Sequence, residues 1–130
     1  MTVAITAGFA AILGLIMIFL SGYVSALRAK SGTSIGDGGD MALLERMRRH
    51  GNFVEVVPMA LLLMALAEAG AAAPSWTYAS GLLLLVGRII HPIGLSAVNS
   101  KSILRGLGSL ATIISMLISI VAIGLQTFGG

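Results

Sequence analysis

The chain has 130 residues, of which 57% are hydrophobic and only 10% charged, and its mean hydropathy is +1.01. A soluble domain carries about 25% charged residues, so this composition excludes an ordinary water-soluble globule and points to lipid. There is no cysteine, which excludes a disulfide framework, a thiolate metal site and a cysteine nucleophile, and the +3 net charge is spread out without the aromatic interleaving of a nucleic-acid face.

A bilayer core about 30 Å thick takes roughly 20 apolar residues to cross as a helix. Four segments meet that length: residues 3–27, 52–69, 75–95 and 103–128. They leave almost nothing for a separate soluble part. The fold class expected is therefore an all-α membrane protein, a four-transmembrane-helix bundle forming one domain over residues 1–130. Strands are excluded because the apolar runs are unbroken rather than alternating. No internal repeat is present.

The first segment lacks a basic n-region and its apolar run is too long for a signal-peptide core, so it reads as a retained span. It closes on Arg28. Residues 32–40, GTSIGDGGD, form a flexible Gly- and Asp-rich loop, and Asp40 is the predicted N-cap of a second helix that starts outside the membrane. That helix enters the membrane through ERMRRHGNFVEVVP, residues 45–58. On a helix, Glu45, Arg48, Arg49, Asn52 and Glu55 fall within roughly a 120° arc, whereas Arg46 and His50 point elsewhere. Two cations, two carboxylates and an amide on one face at membrane depth mark a site.

Ala71, Ala72, Ala73 and Pro74 end the second helix, and Trp76 and Tyr78 are expected in the aromatic belt of the far interface. In the third segment, Arg88, His91 and Leu95 share one helix face. Pro92 removes the hydrogen bond to the carbonyl of Arg88, which predicts a kink. Arg88 follows an unbroken LLLLV run and so needs a partner inside the bundle, which Glu55 or Glu45 can supply. For Asn52 an interhelical hydrogen bond stands beside a role in ligand binding. Arg105 opens the fourth segment.

The basic residues set an orientation. Arg28, Lys30, Arg46, Arg48, Arg49, Arg88, Lys101 and Arg105 all fall in, or just inside the membrane from, the first and third connections, and the second connection, residues 68–74, has none. The positive-inside rule then puts the first and third connections in the cytoplasm and both termini on the other side. Every helix brings a guanidinium to the same level. Taken singly, Arg28 and Arg105 also suit snorkelling to lipid headgroups.

These residues resemble the MAPEG superfamily, the membrane-associated proteins in eicosanoid and glutathione metabolism, and the chain is similar to its bacterial members. The second-helix signature, of the general form E-R-x-x-R-x-x-x-N-x-x-E-x-x-P, is resembled by Glu45, Arg46, Arg49 or its neighbour Arg48, Asn52, Glu55 and Pro58, of which the Asn-x-x-Glu-x-x-P part is in register. The basic residue four before Asn52 is Arg48, so Arg48 rather than Arg49 takes the ligand position. Gly87, Arg88 and His91 match G-R-x-x-H of the third helix. Ser34, Gly36, Asp37, Gly38 and Gly39 match the loop before the signature.

The resemblance implies a homotrimer of four-helix subunits in a bacterial inner membrane, with glutathione bound between subunits near the cytoplasmic face. It implies that Arg48, Asn52 and Glu55 hold the peptide, with Arg28 and Arg88 on its carboxylates and His91 beside them. Arg105 matches the region of the arginine that activates the thiol, which makes it the catalytic candidate. The activity implied is that of a glutathione-dependent transferase or peroxidase acting on lipophilic electrophiles that arrive from the bilayer. Two departures favour the alternative, a non-catalytic scaffold or anionic-lipid binder: the family's synthases have tyrosines where this chain has Leu95 and Val56. A channel lacks support, because the outer halves of the segments are apolar.

Overall fold

The structure is a computed structural model and describes residues 2–96, 98 and 101–129. The chain ends Met1 and Gly130, whose side of the membrane the charge pattern predicts, lie outside the described residues. Four helices follow in order: α1 (Ala4–Ser31), α2 (Met41–Ala69), α3 (Pro74–Gly94) and α4 (Ile103–Phe128). They run up and down, so the first and third connections share one end of the bundle. Among the described residues α2 and α3 each touch all the other helices, while α1 and α4 do not meet.

The helix boundaries have local causes. Gly32 closes α1 in the left-handed region at φ 68°, where a glycine carries no Cβ penalty, and Thr33 N–H bonds back to the Arg28 carbonyl. Asp40 caps α2 as expected, its Oδ1 accepting from the N–H groups of Ala42 (2.8 Å) and Leu43 (3.3 Å). Pro74 takes the first position of α3, where its missing N–H is an orphan in any case. The start of α1 has no cap of its own. Glu68, at the end of α2, supplies one instead: its carboxylate accepts from Ile5 N–H (2.9 Å), Thr6 N–H (2.8 Å) and the Thr6 hydroxyl (2.7 Å).

The apolar core joins Phe9, Leu13 and Leu20 of α1, Phe53, Val57, Ala60 and Met64 of α2, and Leu84 of α3. The α3–α4 seam is built differently, from small and polar residues. Ser80 Oγ lies 2.9 Å from each of Ser115 O, Ser115 Oγ and Ser119 Oγ. Gly87 and Gly108 face each other so closely that a Cβ at Gly87 would come within 2.8 Å of the Gly108 carbonyl oxygen. Small residues that let backbones approach, with hydroxyls bonding across, are how helices associate in lipid, where burying leucine gains nothing. The outside of the bundle is correspondingly apolar: Leu15, Phe19 and Ile93 are each about two-thirds exposed.

Three helices, α1, α2 and α4, are long and apolar enough among the described residues to cross a membrane. The chain is a helical membrane protein. The segment expected at residues 75–95 folds as α3 but does not reach the same apolarity. Its 21 residues cover about 31 Å, but Thr77, Ser80, Gly81, Gly87, Arg88, His91 and Gly94 dilute its hydropathy and are turned inward to be buried. The face left outside carries Leu82, Val86, Ile89 and Ile93. Pro92, expected to kink the span, lies in the last turn of α3, where few hydrogen bonds remain to be broken.

Candidate functional site

At the end of the bundle shared by the first and third connections, α2, α3 and α4 enclose an open pocket of about 440 Å³. The α2 wall is a stripe at helical spacing: Met41, Leu44, Glu45, Arg48 and Asn52. His91 comes from the last turns of α3, Leu95 and Ser96 from the chain beyond it, and Arg105 and Ser109 from the start of α4. The two ends meet because α3 finishes on Gly94, where a Cβ would collide with the backbone nitrogen of Arg105. Of the candidates named from the sequence, Arg48, Asn52, His91 and Arg105 thus come together.

Glu55 joins them indirectly. Its Oε1 lies 3.6 Å from Arg48 Nη1, and both side chains are about half exposed, so the pair has weak energetic weight but keeps a carboxylate beside the pocket. Arg88 lies behind the wall and is only 2% exposed. Neither Glu55 nor Glu45 partners it, which corrects the expected ion pair: Arg88 Nη1 donates to Asn52 Oδ1 (2.8 Å) and Nη2 to the Gly108 carbonyl (3.0 Å). The physical reason is the α3–α4 seam. The close approach at Gly108 brings its carbonyl, which also accepts from the Thr112 hydroxyl at 2.9 Å, to the guanidinium, and Asn52 reaches Nη1 from α2. Because Oδ1 of Asn52 is committed to Arg88, the amide keeps its NH2 donors for other use.

Arg28 is placed elsewhere. Its guanidinium donates to the carbonyls of Thr33 (3.1 Å) and Gly36 (2.9 Å) and to Met47 Sδ (3.3 Å), bracing the first connection. Arg46, set aside as off the polar face, packs on α1, with its guanidinium carbon 3.6 Å from the Tyr23 ring centroid and Nη1 on the Tyr23 carbonyl at 2.8 Å.

The pocket is lined by two cations, Arg48 and Arg105, and one carboxylate, Glu45. The first turn of α4 has no acidic residue, so the positive end of that helix dipole adds to Arg105. Sequence reasoning missed Ser96 and Ser109 as lining residues. Ser109 was within reach, since it follows Arg105 by one helical turn. Nothing local in the sequence marks Ser96, whose place depends on how α3 ends.

The MAPEG family model matches residues 6–125 of the chain. The Inner membrane protein YecN of Escherichia coli strain K12 is 34% identical over 90 residues, 69% of this chain and 69% of that protein. The same figures hold for the Inner membrane protein YecN of Escherichia coli O6:H1 strain CFT073. No solved structure matches the chain.

Proposed function

The chain belongs to the MAPEG family, and on that premise we propose that it is an inner-membrane glutathione-dependent transferase or peroxidase acting on lipophilic electrophiles. One observation carries this reading: a pocket of about 440 Å³ with two guanidinium side chains, a helix N-terminus and an orientated amide converging on it at the charged end of an otherwise apolar bundle. Small-molecule sites have volumes of about 300–1,000 Å³ and few polar groups. Glutathione has two carboxylates, an ammonium and a thiol. Arg48 and the Asn52 amide suit a carboxylate, and Glu55, held beside Arg48, suits the ammonium.

Arg88 acts in this scheme through Asn52, fixing which way the amide points. Arg28 enters from a neighbouring subunit of a homotrimer, and α3 completes a four-span bundle with the termini on the non-cytoplasmic side. The trimer also gives the half-exposed Arg48 and Glu55 a protein neighbour in place of lipid. When bound, glutathione supplies a thiol whose thiolate form is the nucleophile. Arg105, with the α4 N-terminus behind it, favours that form by lowering the thiol pKa from its usual value of about 8.5.

In the test, Arg48→Ala weakens glutathione binding by about ten- to a hundredfold, the loss of a charge-assisted hydrogen bond. Arg105→Ala leaves binding largely intact and slows conjugation of a generic lipophilic electrophile. A second reading is favoured by Leu95, an apolar residue on the pocket wall where the family's synthases carry a tyrosine. It makes the protein a scaffold or anionic-lipid binder, and it predicts no conjugation by the parent and no split between the two variants.

A further inference from the structure

Arg49 is the arginine of α2 that the glutathione reading leaves without a role. Its Nε and Nη2 both donate to the Leu95 carbonyl, at 3.1 and 2.8 Å, and Nη2 lies 3.4 Å from Glu45 Oε2. Ser96 completes the link by donating to Glu45 Oε1 at 3.3 Å. Glu45, Leu95 and Ser96 line the pocket. Arg49 does not: it stands behind them and lines a separate, apolar crevice between α1 and α3.

Two consequences follow from this placement. The last carbonyls of a helix have no intrahelical partners, and Leu95, just past the end of α3, is extended at φ −88° and ψ 110°. The planar fork of Arg49 takes that one carbonyl with two N–H groups, which fixes the backbone carrying the pocket wall. The second consequence is electrostatic. Glu45 is a carboxylate on the wall of a pocket whose arginines suit anions, and uncompensated it repels an incoming carboxylate. Arg49 offsets that charge from the far side, where it does not compete with Arg48 or Arg105 for the ligand.

We propose that Arg49 is a positioning residue of the pocket: held in place by the Leu95 carbonyl, it cancels the charge of Glu45, so that the wall presented to an anionic ligand is net positive. The ligand class rests on the reading of the site given above, and two probes separate the two ideas. Glutathione and glutarate, a simple dicarboxylate, are titrated into the detergent-purified protein by calorimetry. Parent that binds glutarate but not glutathione sinks the glutathione reading and leaves Arg49 to be judged with glutarate. Parent that binds neither overturns both.

With whichever probe binds, Arg49→Gln weakens affinity by about tenfold, the factor for a like charge roughly 10 Å away at an effective dielectric of about 20. Adding Glu45→Gln to that variant restores affinity towards the parent value, because the repelling charge is gone. Arg49→Lys, which keeps the counter-charge without the fork, stays close to the parent and covers the case in which Arg49→Gln fails to fold. Unchanged affinity in Arg49→Gln, no rescue by Glu45→Gln, or an Arg49→Lys loss as large as that of Arg49→Gln overturns the proposal.

Discussion

Gly108→Ala tests the seam on which the site is built. A Cβ there would lie 2.7 Å from His91 Cβ, 2.9 Å from His91 Cα and 2.8 Å from the Gly87 carbonyl oxygen. Carbon atoms pack best at about 3.5–4.0 Å, so α3 and α4 must separate by roughly 1 Å, and none of the three neighbours is the free end of a flexible side chain. Overpacking of this kind costs about 1–3 kcal/mol. Separation also stretches the 3.0 Å bond from Arg88 Nη2 to the Gly108 carbonyl. Loss of such a charge-assisted bond costs about 1.5–3 kcal/mol. Against these stands a gain of about 1 kcal/mol for replacing a helical glycine with alanine. The net expectation is a destabilisation of about 1.5–5 kcal/mol, the overpacking and hydrogen-bond terms together less the helix-propensity gain. Gly106→Ala is the matched control, because it lies in the same helix with nothing within 4 Å of its added Cβ. It should be neutral or stabilising by up to about 1 kcal/mol. Unfolding by sodium dodecyl sulfate in mixed micelles, followed by circular dichroism, measures both. Equal stability of the two variants refutes the close approach of α3 and α4.

Further outcomes follow from other parts of the bundle. Glu68→Ala strips the start of α1 of three hydrogen bonds and should lower stability in the same assay by about 1–3 kcal/mol, with Glu68→Gln retaining part of it. A reporter fused after Gly130 should be active only on the non-cytoplasmic side, and cytoplasmic activity contradicts the charge-based orientation. Native mass spectrometry from detergent should show three subunits, and a monomer or dimer as the sole species contradicts the proposed trimer and, with it, the proposed entry of Arg28 from a neighbouring subunit.

Much of this was legible in the sequence where the signal is local. Unbroken apolar runs gave the helices, Asp40 before α2 gave its cap, and the gathering of basic residues at two connections matched the charged end of the bundle. Arg48, Asn52, His91 and Arg105, named from a family resemblance, line one pocket. What stayed hidden depends on contacts between distant segments. Arg88 was expected to need a carboxylate, but a glycine carbonyl on α4 and an amide on α2 satisfy two of its nitrogens. Glu68 looked like a loop residue until α1 was seen to lie against it. The third segment was read as a span from its length, whereas its polar and small residues, which lower its mean hydropathy, occupy one inward face of α3. Arg48 and Arg49 are adjacent in sequence and equal in charge. They diverge because successive helical positions point about 100° apart, one to the pocket and one to the end of α3.

The most direct measurement of the central claim is calorimetric titration of the detergent-purified parent protein with glutathione. The account predicts saturable binding at millimolar concentration or below, weakened by salt as expected for carboxylates held by arginines. No heat of binding at millimolar glutathione, with the protein shown to be folded, contradicts it.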